Sequence, residues 1–390
     1  MKNWLRENIQ FWPEKRSNIH FAAWTGNTQS LGMYKDVLQI TRDGFTALHL
    51  AAMNGHIDTI RTLKEMGGDL SVKCDNGGTP THWAARRETP PLKAPIPISD
   101  VEQYTPLDAM KVWRDMGADI STHGYKGRPI HCATLCGDLD AVKVLLELGE
   151  DISAQDSEGN TTMHLAAGVG HLDIIKELKE RGAPILARNV LGQMPIHRAA
   201  VSGHIHVIEA LKEMGADILA EANGGATIMH YAVAEKQFST LRMLKNLGVD
   251  VSVKDIDGQT PGHWAADLGY VDVIEALKEF GVDFSAKDNG GWTSMHGAAM
   301  RGHVSVIKVL RNLVGPSSLF DKGDFGRIPT YWNLDVPSES DYTYDVLKKL
   351  GSPVSTRIGK DQWTPKLWAA RYNQFEVAKL LMEMEMDSET

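Results

Sequence analysis

The chain has 390 residues, 42% of them hydrophobic and 23% charged, with a formal net charge of −9. That balance belongs to folded rather than disordered chains. It also lacks the basic excess that nucleic-acid binding requires. No window approaches the roughly 18 apolar residues of a membrane-spanning helix.

Taken in chain order, residues 1–17 carry Trp4, Leu5, Ile9, Phe11 and Trp12 among charges of both signs, without the continuous apolar stretch of a signal peptide. They are expected to form an N-terminal capping segment. Three cysteines (Cys74, Cys132, Cys136) are too few for a disulfide framework and point to a reducing, cytoplasmic setting.

From residue 18 onward a period takes over. His131, His164, His197, His230, His263 and His296 recur at one constant interval, and His49 and His82 share that spacing. The interval, about 33 residues, is that of a repeat architecture. His20 joins the register slightly early, ahead of His49, and Tyr331 and Leu367 hold the position in two degenerate later units. About eleven units therefore run from 18 to 385, with 320–385 degenerate and 386–390 as a short tail.

Within a unit the order is constant, as residues 255–287 illustrate. A turn at Asp257-Gly258 leads to Thr260-Pro261, where the threonine can cap a helix and proline takes the first helical position. Next come His263-Trp264-Ala265-Ala266, then Gly269. Val271, Ile274, Leu277 and Phe280 then recur at helical spacing and give a second helix one apolar face. Gly281 ends that helix in a left-handed conformation. Two short helices cannot bury one apolar face alone, whereas stacked neighbours can.

The run Asp-x-x-Gly-x-Thr-Pro-x-His-x-Ala-Ala-x-x-Gly-His, followed by Val-Ile-x-x-Leu-Lys-Glu-x-Gly-Ala-Asp, resembles the ankyrin repeat over nearly the whole chain. The resemblance implies an all-α solenoid of helix-turn-helix repeats with β-hairpin-like loops, in which the repeat histidines anchor adjacent hairpins by hydrogen bonds.

The array departs from its rule in places. Residues 86–104 insert into the second full repeat with Pro90, Pro91, Pro95 and Pro97, and the interrupted helix is expected to resume near Thr105-Pro106. Arg128 stands where other units have a capping threonine.

Chemistry is sparse. Stacked equivalents lie roughly 8–10 Å apart, too far for two ligands of one zinc, so the histidine ladder implies no metal. Cys132 and Cys136 share a helix face without further ligands nearby. No phosphate-cradling loop, His-Glu-x-x-His or nucleophile elbow occurs. No catalytic residue and no cofactor is expected.

By the same resemblance, partners are gripped by hairpin tips and by the concave face of the first helices. At the tips the sequence offers Phe45, Tyr125, Val190, Leu191, Ile256 and Trp292, with Phe325 and Trp363 in the degenerate units. The ends of the first helices offer Met53, Leu135, Val169, Val201, Leu268 and Met300. The expected function is non-catalytic: a scaffold that binds another protein. The alternatives are a permanent subunit of a larger assembly and, third, an enzyme with a site near the 86–104 loop.

Overall fold

A computed structural model describes residues 19–34, 36–41, 43–86, 106–124, 127–315, 364–372 and 374–388. The chain divides into two units, Met1–Val190 and Leu191–Thr390. The described residues are almost wholly helical. They contain no strand, only the isolated bridges Gly124–Gly127 and Gln155–Thr161 within hairpin-like loops.

In the first unit the first helices of successive repeats are α1 (Ile19–Thr25), α3 (Ala47–Asn54), α5 (Pro80–Ala84), α7 (Pro129–Cys136) and α9 (Thr162–Val169). Their partners are α2 (Thr28–Leu31), α4 (Ile57–Glu65), α6 (Pro106–Asp115), α8 (Leu139–Glu147) and α10 (Leu172–Glu180). First helices pack on first helices and second on second. The alanine pairs lie within these helix stacks: Ala51, Ala52, Ala84, Ala85, Ala166 and Ala167 are all buried. Ile60, Leu63, Leu145, Ile174, Ile175 and Leu178 fill the layer between the helices. Each such aliphatic side chain contributes about 1.5–3 kcal/mol relative to exposure.

The insertion leaves this register intact. Helix α6 begins at Pro106, as the Thr-Pro pair suggests, and packs against α5, α4 and α8. Met110 and Trp113 are fully buried beneath it.

The second unit repeats the plan. Its first helices are α11 (Pro195–Ser202), α13 (Ile228–Ala234), α15 (Pro261–Asp267), α17 (Ser294–Arg301) and α19 (Pro365–Arg371). Their partners are α12 (Ile205–Glu213), α14 (Phe238–Asn246), α16 (Val271–Glu279), α18 (Val304–Val314) and α20 (Phe375–Ser388). One result departs from the sequence reading, which expects the Tyr331 unit to follow the His296 unit. Instead α19 packs directly on α17, and α20 on α18. Gln374 lies at Gly302 as Gln237 lies at Gly203, so the same amide fills the same place in another interface of the unit. Residues 316–363, which contain the Tyr331 unit, lie outside the described residues.

Arg128 has a structural reason. Its guanidinium donates from Nη1 to Glu150 Oε1 at 2.9 Å, and the Glu150 side chain is wholly buried. Ser121 Oγ donates to the other oxygen at 2.7 Å. Glu150 stands where later units have Ala183 and Ala216, so the two departures from the repeat pattern form one pair. Restoring the common threonine alone, Arg128→Thr, should therefore destabilise the unit by about 3 kcal/mol, because a buried carboxylate loses its counter-charge. Adding Glu150→Ala should recover most of that loss in urea unfolding.

Glycines at the hairpins are constrained more tightly than those closing the second helices. Both Gly225 and Gly215 have left-handed backbones, at φ +74° and +99°. A Cβ on Gly225 would lie 2.6 Å from the Ile256 amide nitrogen, whereas one on Gly215 meets nothing within 4 Å. Gly215→Ala should cost about 1–2 kcal/mol, the left-handed penalty alone. Gly225→Ala should lower the melting temperature clearly further.

Candidate functional site

The repeat histidines are held between two backbone groups. On one side Nδ1 accepts the N–H of the helix-capping residue: Thr46 to His49 at 3.1 Å, Thr79 to His82 at 3.1 Å, Thr227 to His230 at 3.2 Å and Thr260 to His263 at 3.1 Å. On the other side Nε2 faces a carbonyl of the next hairpin. In the first unit His49 reaches Gly78 at 3.1 Å and His82 reaches Gly127 at 3.0 Å. In the second, His230 reaches Gln259 at 3.1 Å and His263 reaches Trp292 at 3.0 Å.

A carbonyl can only accept and an amide N–H can only donate, so each ring must be neutral with its proton on Nε2. Protonation would point a second N–H at the capping amide. Burial works in the same direction, holding His49, His82 and His230 down to about 4, with the backbone carbonyl opposing it. His20, His131 and His263 are lowered for the same first cause.

A second row runs backward. His56 Nε2 donates to Trp24 O at 3.0 Å, His303 to Asp267 O at 2.8 Å, and Gln237 Nε2 to Val201 O at 3.1 Å. Both rows therefore join consecutive repeats, which gives most of the histidines a structural role. Among the described residues no group of three or more His, Cys, Asp or Glu is placed to hold one.

The hairpin tips form a third row of backbone contacts. Asp43 O accepts the Asp75 N–H at 3.2 Å and Glu158 O the Val190 N–H at 3.1 Å. In the second unit Leu191 O accepts Asn223 N–H at 3.0 Å, Gly224 O accepts Ile256 N–H at 2.9 Å, and Asp257 O accepts Asn289 N–H at 2.9 Å. The tips are thus registered to one another while their side chains point outward. Val190, Leu191 and Ile256 are 63%, 57% and 65% exposed.

The other expected contact residues divide. Leu268 is exposed, and Leu135, Val169 and Val201 are half-buried. Phe45, Met53, Trp292 and Met300 are buried, which corrects the expectation that they lie open at tips or helix ends. Phe45 and Trp292 sit just ahead of the helix cap, where the chain has already turned inward. The Phe45 ring meets His49 edge-on at 5.6 Å and tilts against Trp83 at 5.0 Å. Trp292 stacks on His296 with centroids 6.5 Å apart. Met53 shares the cluster of Phe45, Cys74 and Trp83. Tyr125, Phe325 and Trp363 lie outside the described residues.

Sequence reasoning missed Leu186 and Leu219, both half-exposed. They hold equivalent positions in consecutive repeats, where other units place Ser71, Ser121, Ser153, Ser252 or Ser285. The serine-to-leucine exchange in register was the available signal.

The family profile described as "Ankyrin repeats (3 copies)" matches residues 19–91, 103–189, 130–222, 185–255 and 229–317. The chain belongs to the ankyrin repeat family. No curated protein matches it. A solved structure that is similar is the crystal structure of the human ASB11 ankyrin repeat domain, at 22% identity and a TM-score of 0.47, over 58% of this chain and 97% of that one. Ankyrin repeats are general protein-interaction modules and the fold is typically non-catalytic. No helix among the described residues is long and apolar enough to cross a membrane.

The neutral ladder has a consequence in acid. Between pH 6.5 and 4 the unfolded histidines bind protons that the folded rings refuse, so stability falls as pH drops through that window, by about 1.4 kcal/mol per unit per ring. Asp267 acts oppositely: burial lifts it to about 6, so its folded form gains protons as pH falls. With His49, His82 and His230 against Asp267, unfolding at pH 5 should take up about two protons or more. Urea midpoints should fall steadily from pH 7 to pH 5, and a flat profile would contradict the assigned tautomers.

Proposed function

We propose that this chain is a non-catalytic intracellular scaffold that grips a partner protein through its hairpin tips and the exposed ends of its first helices. The observation that carries the reading is the exposure of Val190, Leu191 and Ile256 on tips whose backbones are hydrogen-bonded to their neighbours. Apolar side chains exposed to water gain from being covered, and the backbones that carry them are already fixed, so little backbone freedom remains to be lost. Within the second unit Val201 and Leu268 extend the proposed surface, and within the first unit Leu135 does so; Tyr125, proposed with them from the sequence, lies outside the described residues. Phe45, Met53, Trp292 and Met300 support it from beneath rather than by contact.

The geometry favours this over an enzyme. His49, His82, His131, His197, His230 and His263 are each engaged by backbone on both ring nitrogens, which leaves them no lone pair or proton for a substrate. A permanent structural subunit would use the same tips, but would also recover its partner in constant stoichiometry.

Leu191→Asp and Ile256→Asp should each reduce partner recovery in proximity labelling read by mass spectrometry, by about tenfold or more if either side chain is an anchor. The melting temperature should stay unchanged, because both side chains already face water. Unaltered recovery by the double variant would remove the tips from the interface.

A further inference from the structure

In the second unit the residue following the repeat histidine lies on the histidine ring one repeat earlier at two successive steps. Tyr231 meets His197 edge-on at 5.6 Å, and Trp264 tilts over His230 at 5.2 Å. In the next repeat that position is Gly297. Every other unit with a repeat histidine from His49 onward has a side chain there: Leu50, Trp83, Cys132, Leu165, Arg198, Tyr231 and Trp264. The ladder is broken once, at Gly297.

A cavity of about 10 Å³ marks the gap, with His263, Gln259, Asp267, Asp288 and Trp292 around it and Gly297 at its edge. A Cβ on Gly297 would sit 3.7 Å from Asp267 Oδ1, so a larger residue would cover that carboxylate. The Asp267 side chain is 17% exposed and receives Arg301 Nε at 3.2 Å. Its acidity is nonetheless weakened, because burial outweighs the arginine. Asp288 is likewise pushed up by burial, against hydrogen bonds from the Trp292 and Gly290 amides and the Gln259 side chain. One repeat earlier, the Trp264 indole donates to Asp255 Oδ2 at 3.0 Å. Asp288 is the equivalent of Asp255 in the following repeat, and Gly297 brings it no such donor.

We propose that the Gly297 notch is a subsite for a lysine side chain of a partner protein, its ammonium placed between Asp267 and Asp288 and its stem entering where the missing side chain would lie. The inference rests on the protein-binding reading above and names part of what the partner must present. Two carboxylates against one arginine favour a cation, and the chain's net charge of −9 draws basic segments toward it. Size chooses between the two cationic side chains. The cavity admits a group about as large as one water molecule, which suits a compact ammonium with three donors and not a planar guanidinium. Seating it supplies donors to both carboxylates in place of the indole that Gly297 lacks.

The test needs no partner, so its failure would leave the interaction reading standing while removing the notch. The full chain, with nitrogen-15 in its tryptophan indoles, is titrated with n-butylammonium, n-butylguanidinium and n-butanol, and the Trp292 indole resonance is followed. A saturable shift is expected with n-butylammonium, a weaker one with n-butylguanidinium and none with n-butanol. Gly297→Leu, which installs the residue found at Leu50 and Leu165, should keep its melting temperature and bind n-butylammonium at least about tenfold more weakly, the ratio that a loss of about 1.4 kcal/mol gives. Asp267→Asn should weaken binding similarly. An equal response to the ammonium and the alcohol, undiminished binding by Gly297→Leu, or crystals soaked in n-butylammonium that show only water in the notch would overturn the assignment.

Discussion

The imidazole that bridges two backbone groups is the interaction on which this array depends. One nitrogen satisfies the amide at the start of its own helix, and the other satisfies a carbonyl in the next hairpin. Each repeat thereby completes its helix start and secures its neighbour's loop with one side chain. An unpaired polar group in such a place costs roughly 1–3 kcal/mol, so the rings fix which hairpin lies against which helix. Hydrophobic burial between alanine pairs supplies attraction but little direction. The histidines supply the register.

Much of this was legible in the sequence because the constant period imposes the same physical requirement at each turn. The caps, the closely approaching alanines and the stop glycines each demand one residue type, and their recurrence makes the architecture readable. The hairpin-facing role of the histidines came with the family resemblance, and the coordinates supply its atomic form, including the tautomer. Even the insertion was readable, because the Thr105-Pro106 pair marks a helix start independently of what precedes it.

The candidate surface was only partly legible, and two positions show why. Phe45 and Trp292 precede their histidines by four positions, whereas Leu191 and Ile256 precede theirs by six and seven. Composition cannot separate an aromatic that has turned inward beside the cap from an aliphatic still on the outer bend. That distinction lies in the path of the hairpin. The Gly297 gap was hidden for a different reason: an absent side chain leaves no periodic signal, and its meaning appears only when Tyr231 and Trp264 are seen lying on the rings beneath them.

The seating of Phe375–Ser388 directly beside Val304–Val314 shows that the contact surface between repeats is interchangeable. A glutamine can present to one glycine what a histidine presents to another, so any unit carrying the common atoms can follow any other. Such a chain can lengthen or shorten by whole modules without redesigning a junction. Its outer residues can then drift toward new targets while the joints stay as they are.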